Sequence, residues 1–254
     1  MSSLEVSLVA LLCLIAGVLL GMWLQYLLPD HHLSRESQDT VKLGAGMVAT
    51  MSALVLGLLV SSAKSSFDAV NVAIAQNGAR IIQLDRLLAE YGTETRDVRD
   101  RLKTSVAGQV QKVWGGSAAP GGSGLHAMEK STAMLGLQAG LRALAPQSDL
   151  QKSLLNQSLQ ICSEVWQNRL LILEEQQSPL PPVFLVLLVF WLTLLFLSFG
   201  LFAPRNVTVF AVLLVCALSV SSAVFLILEM SHPLDGYIKV SSAPLLKALE
   251  LIGR

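Results

Sequence analysis

Four stretches of this chain carry no Asp, Glu, Lys or Arg: between Glu5 and Asp30, Lys42 and Lys64, Glu175 and Arg205, and Arg205 and Glu229. Each supplies the roughly 20 apolar residues that a helix rising about 1.5 Å per residue needs to cross a ~30 Å hydrocarbon core. The pattern predicts spans over 6–28, 43–63, 183–202 and 207–228. The second is the least greasy, rich in Ala, Gly and Ser, and is bracketed by lysines able to reach headgroups.

Between the second and third spans the pattern becomes amphipathic. Phe67, Val70, Ile74, Ile81, Leu84 and Leu88 follow three- and four-residue steps, with Asn77 in the one polar seat and Tyr91 closing the series. Traced backward, the register reaches Ala63, Val60 and Leu56, so the second span is expected to continue as one helix ending at Gly92. Thr93 is the expected N-cap of the next helix, whose Val98, Leu102, Val106 and Val110 form an i+4 row. Residues 115–124 (GGSAAPGGSG) read as a flexible loop. A helix with Met134, Leu137, Leu141 and Leu144 follows, and Ser148 with Gln151 predicts a capping box for the one after it. That helix has two seams: Leu155, Leu159, Cys162, Trp166 and Leu173 in one, Leu154, Ile161, Val165 and Ile172 in the other. It should therefore sit centrally in a bundle. Pro179, Pro181 and Pro182 break the chain before the third span, and a short helix with Pro244 in its first turn is expected after Ser242.

The expected architecture is thus all-α: four transmembrane helices with a cytoplasmic helical bundle inserted between the second and third spans. The expected division is a first transmembrane pair (1–63), the helical domain (64–178), a second pair (179–230) and a C-terminal segment (231–254). Composition agrees, with 53% hydrophobic and only 14% charged residues, where soluble proteins carry about a quarter charged. A cleaved leader is not expected, because residues 1–6 hold no positive charge and the apolar run is too long.

Of eighteen Lys and Arg, Arg35, Lys42 and Arg205 fall on one side of the four spans, leaving fifteen on the other. The positive-inside rule then makes the helical domain and both termini cytoplasmic. Trp23 and Tyr26 suit an interfacial belt. Zero formal net charge gives no footing for nucleic-acid binding, and Cys13, Cys162 and Cys216 form neither a disulfide framework nor a metal spacing.

The second span holds the most informative pattern. Ala45, Ala49, Ala53, Gly57, Ser61, Ser65, Ala69 and Ala73 recur at every fourth position, and beside them runs a bulky row, Met47, Met51, Val55 and Leu59. Small residues mark close helix approach in lipid. One side of such a helix suits a neighbour in a ring and the other an axis; alternatively both rows pack inside one protomer. Gly17-x-x-x-Gly21 in the first span is a second small-residue contact. Gln25, Ser219, Ser221 and Ser222 are expected to bond their own helix backbones. Lys64 either draws anions or anchors its span. His31 and His32 are expected to be solvated rather than metal-bound, and Asn206-Val-Thr208 is a sequon abutting the bilayer. No charged or histidine side chain lies mid-membrane, which argues against a proton-coupled pump but not against a pore closed by an apolar constriction. No nucleotide, zinc-protease or nucleophile-elbow motif is present, so no enzyme, cofactor or metal is expected.

After the fourth span the chain runs Glu229-Met-Ser-His-Pro-Leu-Asp-Gly-Tyr-Ile-Lys-Val-Ser-Ser-Ala-Pro-Leu. This resembles the closing signature of the bacterial bestrophin-like-domain family of four-span membrane proteins: an acid (Glu229), Pro233 and Gly236, then Ile238, Lys239, Val240 and Ser241, then Pro244 and Leu245. Leu234 stands where an aromatic is usual, His232 where a base such as arginine is frequent, and Gln76-Asn77 where an acid often follows the second span. The family is similar to true bestrophins, pentameric chloride channels that are cation-selective in some bacteria, whose second span lines the pore. The resemblance implies a homo-oligomer, a pentamer, in the bilayer of a bacterial inner membrane, conducting small inorganic ions, with Met47, Met51, Val55 and Leu59 as constriction and Lys64 at the mouth. No acidic cluster like a bestrophin calcium clasp is present. The alternative is a non-conducting sensor or scaffold acting through its cytoplasmic helices.

Overall fold

The computed structural model describes residues 2–29, 35–115, 133–177, 182–204 and 206–253. Among them the regular structure is helical: α1 (Ser3–Leu27), α2 (Arg35–Tyr91), α3 (Arg96–Trp114), α4 (Ala133–Arg142), α5 (Asp149–Gln177), α6 (Pro182–Phe202), α7 (Val207–Met230) and α8 (Ala243–Leu251). Helices α1, α2, α6 and α7 are each long and apolar enough to cross a membrane. The chain divides into two units, Met1–Ser65 with Pro179–Ser231, and Ser66–Ser178 with His232–Arg254. Residues 116–124 of the expected loop, Pro179, Pro181, His31, His32 and Arg205 lie outside the described residues.

In the first unit, α1 opens on a reciprocal cap: the Glu5 N–H donates to Ser2 Oγ (3.2 Å) and the Ser2 N–H to Glu5 Oε2 (2.9 Å). The acid at the first turn also suits the helix dipole. Leu14 and Val18 of α1 join Leu59 and Ala63 of α2, Leu188, Leu192, Leu195 and Phe196 of α6, and Ala217 and Ile227 of α7 in one apolar core. Outward faces stay apolar too, with Leu12, Trp23, Phe190 and Val215 exposed. A helix hydrophobic on all sides is at home in lipid and nowhere else on a surface.

Glycines set how closely α1 and α6 approach. A Cβ on Gly17 would stand 2.8 Å from the Thr193 carbonyl oxygen, and one on Gly21 would collide with the Leu197 carbonyl and lie 2.8 Å from the Leu201 nitrogen. Gly200 of α6 meets the Val18 backbone in the same way. The serines of α7 differ from expectation in one case. Ser219 and Ser222 donate to Val215 O and Leu218 O of their own helix, but Ser221 faces inward and donates to Ser7 O of α1 at 2.7 Å. Burial decides: a hydroxyl on the packed face lies within reach of a neighbouring backbone. Gln25 Oε1 is buried and finds no donor among the described residues, so the expected bond to its own backbone is not seen there.

The second unit is built on the continuation of α2. Val70, Ile74, Ile81, Leu84, Leu88 and Tyr91 are buried with α3's Val98, Leu102 and Val106 and α5's Ile161, Cys162, Val165 and Ile172. Gly92, at φ 135°, ends α2 in backbone that favours glycine. The next helix does not start with Thr93 as its cap. A single 3₁₀ turn, Thr93–Thr95, intervenes, and Thr95 Oγ1 donates to Leu88 O (2.5 Å) and Gly92 O (2.8 Å). The hydroxyl thus serves a carbonyl in the last turn of α2, that of Leu88, instead of capping α3. Only half of the expected box forms at α5. Ser148 Oγ accepts from the Gln151 N–H (3.1 Å), while the Gln151 side chain accepts from the Gln147 N–H (2.8 Å) and donates to Tyr91 O (3.1 Å).

Residues from His232 onward pack into this unit. The Val240 N–H closes a loop onto Pro233 O (3.0 Å), and Trp114 Nε1 donates to Val240 O (2.8 Å). Leu234, Val240 and Leu245 are buried. All three cysteines are free, and burial pushes the Cys162 thiol up to about 12.

Candidate functional site

The sequence patterns converge on the membrane part of α2. Of the four apolar helices its best apolar window is the least buried, 11% against 33%, 28% and 22% for α1, α6 and α7. Its packed face is Ser52, Leu59 and Ala63, flanked by Val48, Val55 and Leu56. The opposite face presents Leu43, Met47, Met51, Leu54 and Leu58, all exposed, with Gly46, Thr50, Gly57 and Ser61 beside them. Cβ atoms on Gly44, Gly46 and Gly57 would meet nothing within 4 Å, unlike those on Gly17, Gly21 and Gly200.

This placement divides the bulky row. Met47 is 69% exposed and Met51 52%, Val55 is half-buried, and Leu59 is 6% exposed inside the core of the first unit. The reason is helical geometry: a step of four residues overshoots a 3.6-residue turn by about 40°, so a row of three such steps swings roughly 120° round the helix. The small row swings likewise. Ala45 and Ala49 are half-buried, whereas Ala53, Gly57 and Ser61 are exposed. Leu54 and Leu58 were missed by the four-residue rows; the signal for them is the mixed three- and four-residue step that continues from Met47. Lys64 is exposed one turn beyond Ser61.

The signature residues serve different ends. Glu229 is fully buried in the last turn of α7. His232 O accepts from the Asp235 and Gly236 N–H groups, at 3.2 and 3.0 Å, forming the turn that holds Gly236. Leu234 fills the buried seat where an aromatic was anticipated. Ser241 Oγ accepts from the Ala243 N–H at 3.2 Å, and Pro244 stands in the first turn of α8. Its carbonyl oxygen would be 2.8 Å from a Cβ on Gly78, a close approach that no local motif announces. Gln76 Oε1 accepts from Asn168 Nδ2 at 3.2 Å.

In the second unit Asp85 receives Arg99 Nε at 2.7 Å, Arg99 Nη2 at 2.9 Å and the Gly253 N–H at 3.2 Å. Burial alone would push the Asp85 carboxyl up. The Arg99 and Gly253 bonds and the charges of Arg99 and Lys103 outweigh it and hold the group below its ordinary value. Among the described residues no three His, Cys, Asp or Glu side chains gather as a metal would require.

A family model, the Bestrophin-like domain, matches residues 12–245. Solved structures share the fold. Two single-substitution variants of a bacterial bestrophin homolog from Klebsiella pneumoniae align with TM-scores of 0.65 and 0.63. They are 14% and 15% identical and cover 98% and 94% of this chain and 98% and 97% of theirs. A further membrane protein aligns with TM-score 0.62 at 14% identity, over 99% of both chains. No curated protein matches.

Proposed function

The chain belongs to the Bestrophin-like family, and from that premise we propose that it is a homo-oligomeric channel for small inorganic ions, with α2 around the axis. The observation that carries this reading is the exposed face of α2. An apolar helix with so little of its best window buried has a bare side, and its uncrowded glycines leave room for a like helix to approach. In this arrangement Met47, Met51, Leu54 and Leu58 form an apolar constriction. It extends about 16 Å along the helix at 1.5 Å per residue and closes to ions by excluding water. Val55 and Leu59 belong to the wall behind it. Lys64 stands at the mouth. By the resemblance the assembly is a pentamer in the inner membrane, and by the distribution of Lys and Arg the second unit and both termini are cytoplasmic.

Ion flux into liposomes tests the proposal. Wild-type protein should exceed empty vesicles, and Leu58→Ser, which wets the constriction, should raise flux severalfold. Leu59→Ala should alter thermal stability more than flux. A monomer by mass in detergent, with both proteins silent in vesicles, sinks it. The unbroken run of α2 from one unit into the other favours a second reading, a sensor or scaffold that conducts nothing; recovery of a soluble partner by a flux-silent monomer would select it.

A further inference from the structure

The second unit encloses a cavity of about 30 Å³ lined by Asn77, Ser105, Gln109, Arg169 and apolar neighbours including Val165 and Leu245. Two polar side chains there are more than nine-tenths buried, Asn77 at 8% and Arg169 at 6% exposure. Among the described residues both hold an atom with no hydrogen-bond partner, Asn77 Oδ1 and one terminal guanidinium nitrogen of Arg169. The Arg169 guanidinium lies 5.6 Å from the Trp166 ring, a contact with a π face that leaves its charge uncompensated. Glu164 is committed to Arg80 at 3.0 Å and Asp85 to Arg99, and among the described residues no carboxylate pairs with Arg169. Trp114 Nε1 is spent on Val240 O.

A buried guanidinium without a counter-charge is costly, because it gives up its hydration and nothing ionic replaces it. Burial correspondingly lowers the pKa of Arg169 from its ordinary value. The cavity has room for one monatomic ion or about one water. A water would accept from Arg169 and donate to Asn77 but bring no charge. Turning the Asn77 amide by half a revolution exchanges Oδ1 for Nδ2. Two donors, one of them cationic, then line the same cavity, whose lining also includes Ser105 and Gln109.

We propose that this cavity is a binding site for one small monovalent inorganic anion of halide size, held by Arg169 and Asn77. The site lies wholly within the second unit and does not depend on conduction. Chloride-35 line broadening on the full chain in detergent tests it, with bromide as competitor. Wild type should give a saturable excess linewidth displaced by bromide. Chloride should also raise its Tm by about 4 °C over gluconate at equal ionic strength, because gluconate is too large to enter. Arg169→Met, which keeps the apolar stem against Trp166, and Asn77→Leu should both lose the saturable excess and the Tm difference. A wild type with no saturable excess means that water alone fills the cavity and overturns the proposal. So does an excess retained in Arg169→Met or, if that variant does not fold, in Asn77→Leu.

Discussion

Gly21→Leu is expected to yield no monodisperse protein in detergent. The added side chain begins at a point already filled by the Leu197 carbonyl and 2.8 Å from the Leu201 nitrogen, and backbone of a packed helix has no rotamer through which to yield. Relief requires α1 and α6 to part, exposing Leu14, Val18, Leu192 and Leu195. The cost should exceed about 3 kcal/mol, the upper part of the usual range for overpacking. Gly200→Leu should fail in the same way, since Gly200 meets the Val18 backbone from the other side. Gly57→Leu is the control: nothing lies within 4 Å of its Cβ, so the protomer should fold and unfold near the wild-type temperature. Size-exclusion profiles and thermal unfolding of the three variants decide the matter. A Gly21→Leu protein that folds and unfolds at the wild-type temperature would show that the α1–α6 contact is absent in solution.

The second large effect is expected at Asp85. Arg99→Ala leaves the buried carboxylate with the Gly253 N–H alone and should destabilise by about 3–5 kcal/mol. Asp85→Leu with Arg99→Met should cost far less, because an apolar pair carries no desolvation penalty. Acid provides an independent readout. The carboxyl titrates below its ordinary value when folded, so its contribution is complete above about pH 4, its unfolded value. The contribution is lost as pH falls through the depressed folded value. Thermal midpoints between pH 3 and 7 should therefore drop at the acid end in wild type, with a shallower drop in Asp85→Asn. Matching acid slopes in the two proteins would refute the assignment.

Much of this was legible beforehand because lipid imposes a length. A charge-free run must be about 20 residues to cross, so four such runs announced α1, α2, α6 and α7. The seam through Val70, Ile74 and Ile81 announced the continuation of α2 for a similar reason: a buried stripe has one period. Rows at four-residue spacing drift round the helix over longer distances. Leu59 shares a row with Met47 on paper and lies far round the helix in space, because the drift per turn accumulates. Thr95 was missed because its hydroxyl serves the preceding helix, and no local motif marks that. Asn77 was visible as the polar seat in an apolar seam, but its companion was not singled out. The signal existed, since Arg169 falls between Val165 and Ile172 on the inner seam of α5. What one helix cannot disclose is which side chain of another will share its cavity.

The glycine notch between α1 and α6 also dictates an order of events at the ribosome. α1 enters the bilayer early, yet the surface it fits is translated only after the whole intervening helical segment has emerged. Until then acyl chains occupy the notch, and the first two spans wait as an unfinished half. Two separately expressed fragments, cut between α3 and α4, should accordingly find each other in the membrane, because the groove that joins them needs no covalent connection.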